Sequence, residues 1–184
     1  MSTPSSAVDI TRQAQRPALR RPFWMALIAL AIGAGVVLGA LGFQYIGGYL
    51  PCALCLMQRQ PYYVGVPIMA LAAIASWFGA SRGVLVGLFA AFAALMLYNV
   101  GLAAYHSGVE WGWWAGPAAC SPSIDVGGVD EMLHQLTATT APSCSEAVWR
   151  FLGLSFAGWN VLASALLTVL GLSGAVAAYR GVED

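Results

Sequence analysis

Residues 83–109 read GVLVGLFAAFAALMLYNVGLAAYHSGV, a stretch of chain without a single charged side chain. Three further uncharged runs cover residues 22–58, 60–81 and 151–179. A helix that crosses a bilayer needs about 20 mostly apolar residues. Lipid offers no water to the backbone, so an open structure other than a helix would leave its N–H and C=O groups without hydrogen bonds. We therefore predict an all-α membrane protein, a bundle of four transmembrane helices at about 23–45, 61–79, 84–105 and 153–178.

The composition supports this fold class and excludes others. The chain has 184 residues, of which 59% are hydrophobic and 9% are charged, whereas a soluble domain carries about 25% charged residues. The net charge is zero, so no nucleic-acid partner is expected. The first apolar run is longer than the roughly 7–15 residues of a signal peptide's apolar region and precedes no clear cleavage site, which argues against removal.

The arginines predict how the chain is oriented. Four of them precede the first span, Arg82 lies between the second and third spans, and Arg180 follows the fourth. The opposite loops hold only Arg59 and Arg150, both at the membrane edge. Because cytoplasmic segments carry an excess of basic residues, we place both termini and the 80–83 turn in the cytoplasm.

This orientation divides the chain into parts. Residues 1–22 form a polar cytoplasmic tail that we expect to be disordered, residues 23–180 form the bundle, and residues 181–184 form a second cytoplasmic tail. A short outer loop covers about 46–60, and a longer outer loop covers about 106–152.

The four cysteines all fall in the outer loops. Cys52 and Cys55 form a C-x-x-C in the sequence Pro51-Cys52-Ala53-Leu54-Cys55, while Cys120 and Cys144 lie in the second loop. Disulfides persist outside the cytoplasm. A C-x-x-C bridge can open and close with little backbone movement and closes too small a loop to stabilise a fold much. We therefore interpret the first pair as redox-active, whereas a disulfide between the second pair could be structural.

Metal and haem sites are not favoured by the spacing. An all-cysteine zinc site typically uses two close pairs, but Cys120 and Cys144 are far apart and the only histidines are His106 and His134. Haem attachment needs a histidine after the C-x-x-C, where this chain has Leu56. We predict no metal site.

The start of the second span suggests how a thiolate could be stabilised. Cys55 enters this span, and the amide groups of a helix N-terminus lower a thiol pKa. Arg59 follows at i+4, on the same helix face. Alone, Arg59 would be interpreted as an interfacial arginine that snorkels to the headgroups, but beside a C-x-x-C a functional role is favoured.

Two features of the outer side stay open. His106, at the end of the third span, could donate a proton or hydrogen bond to a reducible head group, or be an ordinary interfacial histidine among tryptophan anchors. Residues 129–136 have the apolar spacing of a short amphipathic helix, which could lie in the headgroups or pack on the bundle.

The motifs together resemble a known family. They are Pro51-Cys52-x-x-Cys55-x-x-x-Arg59, the two loop cysteines, the four-span layout and the segment Cys144-Ser-Glu-x-x-Trp149-x-Phe151-Leu-Gly-Leu154. From residue 22 onward, nearly the whole chain resembles the bacterial disulfide bond formation protein B (DsbB) family, the inner-membrane quinone reductases that re-oxidise periplasmic thiol oxidases.

The resemblance implies a relay of two redox-active disulfides, Cys52–Cys55 and Cys120–Cys144, on the periplasmic face of the inner membrane. A reduced DsbA-like thiol oxidase would attack at Cys120, and the electrons would pass to Cys52–Cys55. A membrane quinone, ubiquinone or menaquinone, would accept them beside Cys55, with Arg59 and His106 as its binding residues.

Two rivals are less well supported by the sequence. A thiol–quinone enzyme of the vitamin K epoxide reductase type would carry its C-x-x-C late in the chain, whereas here it opens the second span. A non-enzymatic transporter or assembly factor with structural disulfides is the other alternative. Transport paths are often marked by ionisable residues within the membrane, and these spans have almost none.

Overall fold

Four long helices make up most of the structure, a computed structural model that describes the backbone of residues 5–120 and 143–181 and the side chains from Arg21 onward, Ala119 excepted. A 3-10 helix at Ala118–Cys120 and a two-stranded antiparallel hairpin, β1 (Arg150–Phe151) and β2 (Leu154–Ser155), lie between the last two. The long helices are α1 (Ser5–Tyr45), α2 (Ala53–Trp77), α3 (Arg82–Glu110) and α4 (Phe156–Arg180).

Three of these helices are long and apolar enough to cross a membrane: Arg21–Tyr45, Arg82–Glu110 and Phe156–Arg180. They correspond to the first, third and fourth predicted spans. Helix α2 has 25 residues, about 37 Å at 1.5 Å per residue, but its first half is more polar. The predicted bundle is therefore present as four helices, and the crossing by α2 stays a prediction.

Helix boundaries differ from the predicted ones on the cysteine-bearing side. Helix α2 begins at Ala53 rather than near 61, because Cys52 caps it, and it continues through Pro61 and Pro67. The first loop therefore shortens to residues 46–52. Helix α1 extends back to Ser5, into a segment that we expected to be disordered but that is rich in good helix formers such as Ala, Gln and Arg.

The second loop is also shorter at its start, because α3 continues to Glu110. His106 therefore belongs to a helix and not to a loop. The predicted amphipathic helix at 129–136 lies outside the described residues, as does His134.

Small residues allow the helices to approach closely in the core. The core contains Phe89, Phe92 and Met96 of α3, all essentially unexposed. A methyl group on Gly174 of α4 would overlap the Phe89 ring, and one on Gly171 would lie 3.0 Å from the Cβ of Ala93. Close backbone approach at small residues is how helices pack where lipid supplies no hydrophobic drive.

Aromatic contacts show which helix ends lie together. Phe43 of α1 contacts Phe156 of α4, with ring centroids 4.9 Å apart, and Phe23 contacts Trp77 of α2 at 5.5 Å. We call the first end, which holds Tyr45, Cys52, Glu110 and Phe156, the cysteine end. At the opposite end, the guanidinium of Arg82 lies 3.8 Å from the centre of the Tyr179 ring.

Candidate functional site

All four cysteines meet at the cysteine end. Cys52 and Cys144 are buried in one cluster with Leu54 and Val109, and Cys55 and Cys120 pack against it. Cys120 and Cys144 form a disulfide, with Cα atoms 5.3 Å apart, whereas Cys52 and Cys55 are thiols. The sequence places the two pairs in separate loops, and the folded helices bring them into contact.

Cys52 is the N-cap residue of α2. Its backbone is extended, and its sulfur accepts a hydrogen bond from the backbone N–H of Cys55 at 3.2 Å. The amide groups at a helix N-terminus are otherwise unpaired. A thiolate at this position is therefore stabilised by the helix itself.

Cys52, and not the expected Cys55, occupies the position at which the helix stabilises a thiolate. Both cysteines precede the predicted membrane span, which begins near residue 61. A hydrogen bond from the Cys55 side chain, together with the nearby His106, lowers the pKa of Cys52 from 9.0 to about 4. The same hydrogen bond and burial raise the pKa of Cys55. The expected position for the stabilised thiolate was Cys55, whereas the structure places Cys52, three residues earlier, at the N-cap.

His106 connects Cys52 to a hydrogen-bond network between helices. Its Nε2 lies 3.7 Å from the sulfur of Cys52, and Gln58 Nε2 lies 2.7 Å from its Nδ1. Asn160 of α4 donates to Gln58 Oε1 at 2.7 Å. Since the Gln58 oxygen is occupied by Asn160, its amide group donates to Nδ1, and the ring proton lies on Nε2, directed at Cys52.

The network continues into the bundle. Tyr62 donates to Asn160 Oδ1 at 2.6 Å and lies 3.0 Å from the hydroxyl of Ser164, which also accepts from Asn99 at 2.9 Å. Asn99 and Ser164 are fully buried. Our sequence analysis did not identify Gln58, Asn160 or this network. The sequence did carry a signal for these residues, because amide side chains within an apolar run usually form hydrogen bonds to other helices.

Arg59 contacts α1 rather than the cysteines. Its guanidinium donates to Gln44 Oε1 at 2.5 Å and reaches the carbonyl of Ala40 at 3.4 Å. Within the described part of the chain, its side chain makes no hydrogen bond to Cys55. The predicted one-turn spacing is present, but the side chain extends along the cavity wall to the neighbouring helix.

A cavity of about 430 Å³ opens beside these residues, between α1, α2 and α4. That volume is typical of small-molecule sites. Most of its wall is apolar, and Cys52 is not part of it. Its polar and thiol lining includes Gln44, Cys55, Gln58, Arg59, His106 and Asn160. The cavity thus brings Cys55 together with both residues that the sequence predicts to bind a head group.

Glu110 closes the site on the loop side, a role that its sequence position does not reveal. Its carboxylate oxygen Oε1 lies 3.9 Å from His106 Nε2, and its side chain is 5% exposed. Ser155, which caps α4, donates to the other carboxylate oxygen. The ends of α3 and α4 are therefore tied together next to the imidazole.

Comparison with known proteins identifies the family. Residues 20–174 match the family described as disulfide bond formation protein DsbB, which confirms the resemblance drawn from the sequence. The chain is similar to disulfide bond formation protein B of Marinobacter nauticus, with 32% identity over 81% of this chain and 89% of the relative.

Two further relatives agree. Disulfide bond formation protein B of an Azoarcus species is 30% identical over 86% of this chain and 95% of its own, and disulfide bond formation protein B 2 of Pseudomonas putida is 32% identical over 89% and 95%. No solved structure matches the chain. With its membrane-length helices and four cysteines at one end, this chain is a membrane protein that belongs to the DsbB family.

Proposed function

We propose that this protein re-oxidises a periplasmic thiol oxidase of the DsbA type and passes the electrons to a quinone of the bacterial inner membrane. One observation carries the proposal: both cysteine pairs lie in one cluster, and this cluster adjoins a cavity lined by Cys55, Arg59 and His106. Family membership does not favour the alternative of a non-enzymatic membrane protein with structural disulfides.

The first step is an exchange with the protein partner. A thiolate of the reduced partner attacks the Cys120 sulfur and releases the Cys144 thiolate, and the partner's second thiol then resolves the mixed disulfide. The partner leaves oxidised, and the two loop cysteines are left reduced. Attack at Cys120 is supported by exposure, because Cys120 is partly exposed whereas Cys144 is fully buried.

The second step transfers the electron pair inward. Cys144 attacks the Cys52 sulfur of the Cys52–Cys55 disulfide, and Cys55 leaves as a thiolate. Cys120 then displaces Cys52, which re-forms the outer disulfide and leaves Cys52 and Cys55 reduced. This order is supported by packing, since Cys52 and Cys144 share the buried cluster while Cys55 borders the cavity.

The cavity suits a quinone head group, because it is mostly apolar and has donors on one side. A quinone bound there, ubiquinone or menaquinone, would accept two electrons and two protons while Cys52 and Cys55 close their disulfide. Arg59 offers a rigid fork of donors on the wall. His106 Nε2 lies 3.7 Å from the Cys52 sulfur, and the rest of the wall is mostly apolar.

The proposed orientation places the cysteine end in the periplasm and requires α2 to cross the membrane with the other three helices. It is supported by Arg21, Arg82 and Arg180, which lie at or near the opposite end of the bundle. Basic residues concentrate on the cytoplasmic side.

The test is a reconstituted reaction. Purified protein, a reduced DsbA-like oxidase and a soluble quinone should show a fall in quinone absorbance that matches oxidation of the partner. Cys120→Ser should stop oxidation of the protein partner but leave quinone reduction by a small dithiol, which needs only Cys52 and Cys55. Quinone reduction that persists without Cys52 would refute the proposal.

A further inference from the structure

Three possible metal ligands converge at the cysteine end. The sulfurs of Cys52 and Cys55 and a ring nitrogen of His106 all lie within 4.8 Å of one another, and Cys52 Sγ is 3.7 Å from His106 Nε2. In a tetrahedral zinc site with Zn–S near 2.3 Å and Zn–N near 2.05 Å, the sulfur–nitrogen separation is about 3.6 Å and the sulfur–sulfur separation about 3.8 Å. The Cys52–His106 separation is close to the first value, and the other two pairs of atoms lie within 4.8 Å.

The surroundings also resemble those of a metal site. Metal-bound histidines almost always bond through their second ring nitrogen to an outer residue, and here Gln58 contacts Nδ1 at 2.7 Å. Glu110, with its oxygen 3.9 Å from His106 Nε2 and its side chain 5% exposed, lies beside these three ligands and could join them if its own side chain turned toward the sulfurs. Two thiolates, an imidazole and a carboxylate form a ligand set of the type that binds zinc.

Binding at Nε2 requires the ring proton to move to Nδ1, and the network allows this. If the amides of Gln58 and Asn160 both turn over, Gln58 Oε1 accepts from Nδ1 and its amide group donates to Asn160. Asn160 can then donate to the hydroxyl of Tyr62, which in turn donates to Ser164, at the distances already present. Each donor of the chain from Nδ1 to Tyr62 then has an acceptor, and the hydroxyl of Ser164, which donates to Asn160 Oδ1 at 3.4 Å before the turn, gives up that long bond.

We propose that the reduced Cys52–Cys55 pair and His106 form a binding site for a zinc ion, with Glu110 as the candidate fourth ligand. Binding displaces the protons of the sulfurs and transfers no electrons. A zinc-bound pair cannot close its disulfide. Zinc therefore blocks the relay in its reduced state, a consequence that rests on the proposed function.

Cobalt(II) is a suitable probe, because tetrahedral thiolate coordination gives it strong visible absorption. The test protein is the full chain with Cys120→Ser and Cys144→Ser, so that the only thiols are Cys52 and Cys55. After reduction we expect thiolate–cobalt charge-transfer bands that zinc abolishes. His106→Ala should weaken zinc competition at least about tenfold, since even outer residues cost 10–100-fold. The matched control His134→Ala, which removes the other histidine, should leave affinity unchanged.

A second measurement needs no variant. In the fully reduced natural chain, zinc should protect Cys52 and Cys55 from alkylation more strongly than Cys120 and Cys144, as resolved by mass spectrometry. Equal protection of all four cysteines, or cobalt spectra unaltered by His106→Ala, would overturn the site. Neither assay contains a partner protein or a quinone. Failure here therefore leaves the proposed oxidase activity, measured with a chelator present, untouched, and failure of that activity leaves the metal result standing.

Discussion

His106 Nε2 lies 3.7 Å from the sulfur of Cys52, although 54 positions separate these residues in the chain. One belongs to α3 and the other caps α2. The environment of the thiolate therefore depends on how two helices pack, and not on the C-x-x-C alone.

Cys52 should behave as a thiolate at neutral pH. With a pKa lowered from 9.0 to about 4, its alkylation in the reduced protein should stay constant as the pH falls from 9.0 and slow only as the pH passes about 4. Cys55, whose pKa is raised, should react more slowly throughout. Iodoacetamide labelling with site-resolved mass spectrometry measures both rates. A Cys52 rate that rises tenfold per pH unit near neutrality would contradict this assignment.

Gln58→Leu should weaken the stabilisation of that thiolate. The substitution removes the hydrogen bond to His106 Nδ1, a contact of about 0.5–1.5 kcal/mol. The midpoint of the Cys52 alkylation profile should therefore rise by roughly 0.4–1 pH unit, at 1.36 kcal/mol per unit. Gln60→Leu is the matched control, because Gln60 is exposed on the same helix. Equal shifts in the two variants would show that Gln58 does not act through His106.

Arg59→Ala should raise the apparent quinone KM by roughly one to two orders of magnitude, since hydrogen bonds to charged groups contribute about 1.5–3 kcal/mol. Arg59→Lys should fall between, because it keeps the charge and loses the fork. Steady-state kinetics with a soluble quinone measures this. Cys52 alkylation should barely change, because Arg59 bonds to Gln44 and Ala40. Arg82→Ala, at the opposite end, is the control, and an unaltered KM in Arg59→Ala would reduce Arg59 to an interfacial anchor.

Both chain termini should lie in the cytoplasm and the cysteines outside it. A reporter that needs the cytoplasm, fused after residue 184, and a reporter that needs export, inserted within residues 121–128, should both be active. The arginine distribution is the physical reason. Activity from the opposite pair of reporters would reverse the topology and remove the cysteines from the periplasm.

Gly174→Ala should destabilise the bundle by about 1–3 kcal/mol, because the added methyl overlaps the buried Phe89 ring and overpacking a close-packed core costs this much. Gly87→Ala is the control. Its methyl would meet no atom within 4 Å, and alanine favours a helix by up to about 1 kcal/mol over glycine. Thermal unfolding in detergent should therefore give shifts of opposite sign, and a neutral Gly174→Ala would show that Phe89 can move aside.

Uncharged runs were enough to predict the helices, because lipid excludes charge over a known length. The C-x-x-C indicated thiol chemistry, because the spacing of Cys52 and Cys55 can be read directly from the local sequence. The sequence favoured Cys55 over Cys52, because one turn of helix decides which sulfur meets the amide groups, and the uncharged run that follows Arg59 pointed to a later start of the span. The roles of Gln58 and Asn160 come from contacts 48 and 102 positions apart, which no local pattern encodes.

The buried Tyr62, Asn99 and Ser164 and the half-buried Asn160 also determine how the helices assemble. Apolar faces slide and rotate against each other at little cost in lipid, because tails and side chains are equally apolar. Directional bonds at one depth permit a single rotation and height for α2, α3 and α4. The side-chain carbonyl oxygen of Asn99 is buried with no hydrogen-bond partner in the described structure, which costs free energy of folding. The polar layer therefore aligns three helices, and this alignment sets the distance between the His106 imidazole and the Cys52 sulfur.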